Sequence, residues 1–149
     1  MGKKDGWGGA LIRTGLAHLP LHAGRAADFE KLLSHDLAIL VKENEDPGKF
    51  AAVEFDAAGF LSDIVEKPQT YQGNLTNLGV YLLDMRIFEY EPVKISGTEF
   101  GLPQTIARMA KDVKISVEKT DFWQTVGSPE DIVEAEQAIR SMPGDFDVE

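Results

Sequence analysis

Glu66 and Lys67, followed directly by Pro68, place an acid and a base side by side in the sequence. A polar segment then leads to Asn77 and Gly79, ahead of a run of apolar side chains. A charged pair before a proline contributes nothing to the packing of a hydrophobic core. An anionic ligand with hydroxyl groups, in contrast, is bound well by an ammonium, a carboxylate and an amide, and by backbone that approaches closely at a glycine. The pattern favours a site for such a ligand. It is also compatible with a structural role, because Lys-Pro ends many edge strands and Asn-rich segments are common in turns.

The charge of the chain limits the kinds of partner it can have. Its 149 residues include 25 acidic and 15 basic side chains, which gives a net charge of −10 at pH 7. Proteins that bind nucleic acids usually carry a basic surface, so no nucleic-acid partner is expected. The acidity itself is consistent with solubility. An anionic substrate would be repelled by the overall field and needs a local positive group or a metal ion, and Lys67 is the candidate for that group.

The absence of cysteine excludes disulfides, thiolate metal ligands and cysteine nucleophiles. No segment approaches the roughly 18 consecutive apolar residues of a membrane-spanning helix. Lys3 and Lys4 are followed by Asp5 and several glycines, which makes a poor signal peptide. These features predict a cytoplasmic location and no membrane partner.

Apolar or alternating segments predict several β-strands. The clearest is a hairpin, in which residues 50–55 and 60–66 flank a loop that ends in Gly59. Pro68 favours an extended conformation at Lys67. If Glu66 and Lys67 both contact one ligand, the strand must twist or bulge there, because neighbouring side chains of a regular strand point to opposite faces. The other predicted strands cover residues 37–41, 78–83 and 113–117, with a short one within 121–126.

Capping residues mark the predicted helices. Asp28 is the expected cap of a helix over residues 29–35, and Asp84 is the expected cap of a short helix. A third helix begins at Leu102, because the proline that follows suits a first helical turn. Ser128 begins a fourth, since its hydroxyl is followed by a proline and two acids that face the helix dipole.

The mixture of strands and helices predicts one domain with an α/β or α+β sheet rather than a sandwich or a bundle. Residues 1–27 are only weakly patterned. We expect the folded domain over residues 28–142, followed by an acidic tail at residues 143–149.

Short motifs occur in a fixed order along the chain. They are a hydrophobic strand with a DP turn at 37–47, Phe50–Asp56 (like Y-G-V-V-E-F-D), Val65–Pro68 (V-E-K-P), Asn74–Tyr81 (like S-N-x-A-N-T-G-x-Y), Glu99–Thr105 (like E-Y-E-L-T-D) and Trp123–Asp131 (like W-x-D-x-G-T-P-E-D). Each motif is weak alone, and their common order makes the match specific. From about Asp28 to Arg140 the chain resembles the C-terminal half of the catalytic domain of the sugar-phosphate nucleotidyltransferases. These are the NDP-sugar pyrophosphorylases, such as glucose-1-phosphate thymidylyl- and uridylyltransferases.

The resemblance implies a Rossmann-like mixed sheet flanked by helices, here without its N-terminal nucleotide-binding half. It implies an enzyme that joins a nucleoside triphosphate to a sugar 1-phosphate and releases pyrophosphate, with Mg²⁺ shielding the charge. Glu66 would accept hydrogen bonds from sugar hydroxyls, Lys67 would neutralise the sugar phosphate, Asn77 would contact the sugar, and Gly79 would let the backbone close on the ligand. For Asn77, capping of a turn is the structural alternative.

The chain departs from the family pattern at its nucleotide-binding elements. The family's G-G-x-G-T-R-L-x-P-L-T loop and its Gly-Asp metal motif do not occur in the sequence. Thr125 stands where W-x-D-x-G supplies a metal carboxylate, and a neutral hydroxyl is a poor ligand for Mg²⁺. Ala51 replaces a family glycine. No catalytic residue is identified, and the chain does not supply the expected Mg²⁺ ligands.

Three functional hypotheses follow. In the first, the chain is a truncated sugar-phosphate half, inactive alone or completed by another chain that supplies the nucleotide-binding half. In the second, it is a non-catalytic sugar-phosphate-binding or regulatory partner, which the threonine at position 125 and the missing loop favour. In the third, it is a complete catalyst, which the missing triphosphate loop and metal carboxylates argue against.

Overall fold

A computed structural model describes residues 10–13, 21–23, 26–45, 50–70, 73–126 and 128–141. The DP turn at residues 46–47 and the acidic tail at residues 143–149 lie outside these residues. The described strands are β1 Ala10–Arg13, β2 Leu21–Ala23, β3 Ala38–Glu43, β4 Ala51–Phe55, β5 Leu61–Glu66, β6 Leu75–Leu83, β7 Val93–Ser96, β8 Glu99–Gly101, β9 Ser116–Thr120 and β10 Gln124–Val126. The described helices are α1 Ala26–Leu33, α2 Leu102–Met109 and α3 Pro129–Arg140, with a 3₁₀ helix at Met85–Glu89.

The main sheet is mixed and has the strand order β5-β4-β6-β3-β9, with β1 pairing the second half of β6. β3 and β9 run parallel, whereas the other neighbours are antiparallel. Two smaller sheets pair β2 with β10 and β7 with β8. This architecture confirms the predicted α/β fold with a mixed sheet and flanking helices.

Hydrophobic side chains cover both faces of the sheet. On one face, called here the α2 face, Ile39, Tyr81 and Leu83 pack in one cluster with Ile106 and Met109 of α2. On the other, called the α1 face, the alternate residues Ala38, Leu40, Val80 and Leu82 pack with Leu32 of α1 and with Trp123. Burial on both faces explains why residues 37–41 form an uninterrupted apolar run.

The β4–β5 hairpin has the predicted turn, and each of its strands begins one residue later than predicted. Gly59 has a φ of +86°, a conformation that glycine adopts without strain. The Asp56 carboxylate accepts hydrogen bonds from the backbone N–H groups of Ala58 and Phe60, both at 2.9 Å. Local turn chemistry therefore sets the register of this hairpin.

Helix α3 begins with the predicted cap. The Ser128 hydroxyl accepts from the Asp131 N–H at 3.2 Å, and the Asp131 carboxylate accepts from the Ser128 N–H at 2.9 Å. This reciprocal pair satisfies two backbone donors at the start of the helix.

The predicted cap of the first helix was wrong. Helix α1 begins at Ala26, so Asp28 lies within its first turn and is 0% exposed. The Asp28 carboxylate accepts a hydrogen bond from the Thr120 hydroxyl at 2.7 Å and lies 3.5 Å from the Lys31 ammonium. A tertiary contact from β9 therefore determines the position of Asp28, and the local sequence carries no sign of it.

Several strand boundaries also differ from the sequence prediction. The strand expected at 113–117 is β9, at 116–120, because its pairing with β3 runs from Ser116 to Thr120. Strands β7 and β8 form a hairpin that the sequence analysis did not predict. The weakly patterned residues 1–27 contribute β1 and β2. Each of these short strands depends on a partner strand that the local sequence does not specify.

No helix in the described part of the chain combines the length and the hydropathy that crossing a membrane requires.

Candidate functional site

Strand pairing brings the predicted site residues to one edge of the main sheet, meaning here the edge that the ends of its strands form. A row of directly paired residues crosses five strands near this edge: Val65, Ala52, Thr76, Lys42 and Thr120. Glu66 follows Val65 at the end of β5, and Asn77 follows Thr76 near the start of β6. Both candidate residues therefore lie within one residue of the same row, although ten residues separate them in the sequence.

Glu66 and Asn77 also share a face of the sheet. Residues that pair directly point to the same side. Glu66 pairs with Ala51, and Asn77 pairs with Val41. Ala51 and Val41 both pack in the cluster on the α2 face. The carboxylate of Glu66 and the amide of Asn77 are therefore directed to the α2 face of this edge.

Gly79 forms part of a bulge in β6. Between the pairs Leu40–Val80 and Val41–Asn77, strand β3 advances by one residue while β6 advances by three. Leu78 and Gly79 are therefore extra residues in β6, and Gly79 has a φ of +74°. The Gly79 N–H donates to the Asn77 side-chain oxygen at 3.1 Å. The glycine thus permits a local turn of the strand that a bulkier residue would strain.

The Asn77 amide is hydrogen-bonded to a buried phenol. Its Nδ2 donates to the Tyr81 hydroxyl at 2.5 Å, and Tyr81 is 1% exposed. Burial raises the pKa of Tyr81 to about 12, the hydrogen bond from Asn77 acts in the opposite direction, and the negative charge of Glu66 adds to the increase.

Lys67 lies at a turn of the backbone directly after β5. Its φ is +41°, so the prediction of an extended conformation before Pro68 was wrong. The Lys67 N–H still donates to the Phe50 carbonyl at 3.1 Å, which completes the pairing of β4 and β5 before the chain turns away. Contact of Glu66 and Lys67 with one ligand requires a departure from regular strand geometry. The turn at Lys67 is such a departure. The Lys67 side chain is exposed.

Thr125 lies in β10, where its backbone pairs with His22 of β2. The described residues contain no group of three or more His, Cys, Asp or Glu side chains that could hold a metal ion. A threonine in place of a carboxylate adds no anionic ligand. These residues do not fit a Mg²⁺ site.

Sequence reasoning did not identify Tyr81 as a site residue and assigned it to the apolar run after Gly79. Two observations pointed to it. An even spacing of four residues allows Asn77 and Tyr81 to share one face of a strand. A buried tyrosine also needs a partner for its hydroxyl, and Asn77 is the nearest amide along the strand.

The fold is a mixed α/β domain with flanking helices. A family model described as "Nucleotidyl transferase" matches residues 23–142. The chain therefore belongs to this family, and its relatives include sugar-1-phosphate nucleotidyltransferases.

Two curated relatives illustrate the match. The bifunctional protein GlmU of Methanocaldococcus jannaschii is 35% identical over 115 residues, which is 75% of this chain and 28% of that protein. The catalytic subunit beta of mannose-1-phosphate guanylyltransferase from Drosophila pseudoobscura pseudoobscura is 29% identical over 96 residues, or 64% of this chain and 25% of that one. The chain therefore spans between a quarter and a third of the length of these relatives.

Solved structures share the fold. A putative glucose-1-phosphate thymidylyltransferase from Bacillus anthracis superposes with a TM-score of 0.63 at 17% identity, covering 85% of this chain and 53% of that structure. UTP-bound UGPase from Acinetobacter baumannii gives a TM-score of 0.62 at 19% identity, covering 84% of this chain and 50% of that structure. The chain corresponds to about half of each of these structures.

Proposed function

We propose that Glu66, Lys67, Asn77 and Gly79 bind a sugar 1-phosphate, and that this chain provides the sugar-phosphate-binding half of a sugar-1-phosphate nucleotidyltransferase. One observation carries the proposal: Glu66 and Asn77 share one face of one sheet edge, beside the Gly79 bulge and the Lys67 turn. Family membership provides the reaction class.

Each residue type suits its proposed role. A carboxylate accepts hydrogen bonds from sugar hydroxyls, and an amide both donates and accepts them. The Lys67 ammonium is the proposed partner of the phosphate, which a chain of net charge −10 would otherwise repel. A glycine at this bulge, with a φ of +74° and no side chain, is proposed to let the backbone approach the sugar closely.

The complete reaction converts a nucleoside triphosphate and a sugar 1-phosphate into an NDP-sugar and pyrophosphate. An oxygen of the sugar phosphate attacks the α-phosphorus, and pyrophosphate leaves. The sequence contains neither the triphosphate loop nor a carboxylate at position 125. We therefore propose that these 149 residues bind the sugar phosphate without releasing pyrophosphate, and that a chain with the nucleotide-binding half would complete the site.

The proposed partners are accordingly a sugar 1-phosphate and a chain that carries the nucleotide-binding half. Neither a nucleic acid nor a membrane is among them, and the proposed location is the cytoplasm.

Isothermal titration with glucose 1-phosphate and mannose 1-phosphate tests the binding role of Lys67. Lys67→Ala should weaken binding roughly 10- to 100-fold, because a hydrogen bond to a charged group contributes about 1.5–3 kcal/mol. Lys94→Ala is the matched control: Lys94 is an exposed lysine of β7, outside the main sheet, and its loss changes the net charge equally. Equal affinities of the Lys67→Ala and Lys94→Ala variants would remove Lys67 from the site.

A second candidate function is a sugar-phosphate-binding regulatory partner without turnover. The threonine at position 125 favours it, because this position carries the metal carboxylate in the family pattern. A pyrophosphate-release assay separates the two functions when a chain with the nucleotide-binding half is added. The first predicts turnover that depends on Lys67, whereas the second predicts none.

A further inference from the structure

We propose that Tyr81 is a positioning residue for the sugar: its buried hydroxyl fixes the amide of Asn77. The inference rests on the proposed function, because Asn77 and Glu66 matter to a ligand only if they bind one. In this proposal Tyr81 does not contact the sugar itself and acts through Asn77.

The bulge determines which way the Asn77 amide points. The Gly79 backbone N–H can only donate, so the atom that faces it, at 3.1 Å, must be the Asn77 oxygen. The amide nitrogen then faces the Tyr81 hydroxyl at 2.5 Å. Both ends of the amide are therefore held. One N–H and one oxygen lone pair remain for a ligand.

Tyr81 provides a fixed reference point for this amide. It is among the largest fully buried side chains, and its backbone pairs with Ile39 of β3. Asn77 is partly exposed and Glu66 is exposed. Exposed side chains lose rotamer freedom when they bind a ligand, and a contact that orders them beforehand reduces this cost. The Tyr81 hydroxyl therefore orders the partly exposed side chain of Asn77 before a ligand binds.

The negative charge of Glu66 raises the pKa of the same hydroxyl, in addition to the larger effect of burial. Because its oxygen accepts from Asn77, the O–H proton remains available as a donor. The pKa of about 12 keeps that proton in place at neutral pH, so the phenol does not repel the carboxylate. The phenol therefore remains a neutral partner for the Asn77 amide at neutral pH.

A double-mutant cycle tests the coupling of Tyr81 to Asn77, with glucose 1-phosphate and mannose 1-phosphate as probes. Tyr81→Phe keeps the ring and removes the oxygen. In the otherwise unchanged chain it should weaken binding about 2- to 10-fold, the range that one net hydrogen bond provides. In an Asn77→Ala chain the same change should have almost no effect. Tyr90→Phe is the matched control at the partly exposed tyrosine after the 3₁₀ helix.

The cycle separates failure of this inference from failure of the proposed function. If the unchanged chain binds neither sugar phosphate, the proposed function fails and the inference falls with it. If the chain binds but Tyr81→Phe binds equally well, the inference alone is overturned. An equal loss in both backgrounds, as from a general loosening of the core, also overturns it.

The ligand-free chain gives an independent measurement. The side-chain amide protons of Asn77 can be observed by NMR, and Tyr81→Phe should shift the one that donates to the hydroxyl. Tyr90→Phe should leave it unchanged. An unchanged Asn77 amide in the Tyr81→Phe variant would contradict the positioning role of Tyr81.

Discussion

The two faces of the same sheet edge use similar polar groups in opposite ways. On the α1 face, the Asp28 carboxylate is 0% exposed, and the Thr120 hydroxyl and the Lys31 ammonium contact it. On the α2 face, Glu66 and Lys67 are exposed and Asn77 is partly exposed. A buried polar cluster that is satisfied internally supports the fold, whereas polar groups with unused donors and acceptors can serve a ligand. Hydrogen-bonding capacity, and not residue type, therefore distinguishes the two clusters.

The largest expected change in stability follows from a substitution on the α1 face. Asp28→Ala should lower the free energy of unfolding by about 2–4 kcal/mol, because it removes the buried carboxylate together with the hydrogen bond it accepts from Thr120 and its ion pair with Lys31. Urea denaturation measures this loss. Glu30→Ala, at an exposed acid of the same helix, should change stability by less than about 0.5 kcal/mol. An Asp28→Ala chain as stable as the Glu30→Ala chain would remove the structural role from this cluster.

High pH should lower the free energy of unfolding, because Tyr81 on the α2 face loses its proton. The folded pKa of about 12 exceeds the ordinary value of 10.0, so the folded state retains its proton where the unfolded state loses it. The stabilising contribution is complete below pH 10 and is lost as the pH rises to about 12. The total loss is about 2–3 kcal/mol. Urea denaturation at pH 9 and at pH 11.5 should show a smaller decrease for Tyr81→Phe than for the unchanged chain. Equal decreases would mean that Tyr81 is not buried as described.

The smallest expected effect on stability comes from replacing a glycine that has a positive φ. The comparison of two such glycines separates backbone strain from ligand binding. Gly79 and Gly59 both have positive φ, at +74° and +86°. Replacing either with alanine should cost about 1 kcal/mol of unfolding free energy. A Cβ on Gly59 would meet no atom within 4 Å, so backbone strain is its whole cost. Only Gly79→Ala should also weaken binding of glucose 1-phosphate. Equal binding by the two variants would separate the Gly79 bulge from the site.

Features set by neighbouring residues could be predicted from the sequence. The turn at Gly59 and the cap at Ser128 follow from side chains within four residues of one another. The alternating and continuous apolar runs likewise identified β3, β4 and β5, because burial on one or both faces imposes those patterns.

Features that depend on distant residues could not be predicted. Asp28 and Thr120 are 92 residues apart, and their hydrogen bond exists only because α1 packs over β9. Asn77 and Tyr81 are four residues apart, but their contact depends on a bulge that is defined by pairing with β3. The turn at Lys67 likewise contradicts the local preference before a proline. The sequence thus indicated which residues form the candidate site but not the geometry that connects them.

The most direct measurement of the central claim is an NMR titration of the full chain with glucose 1-phosphate and mannose 1-phosphate. It should shift the backbone amides of Glu66, Lys67, Asn77 and Gly79 and leave those of Asp28 and Thr120 unchanged. A groove on the other side of the edge is lined by Lys31, Lys42, Lys119 and Thr120, among others, and offers the competing location. Shifts confined to that groove, or absent from residues 66–79, would contradict a sugar-phosphate site on the α2 face.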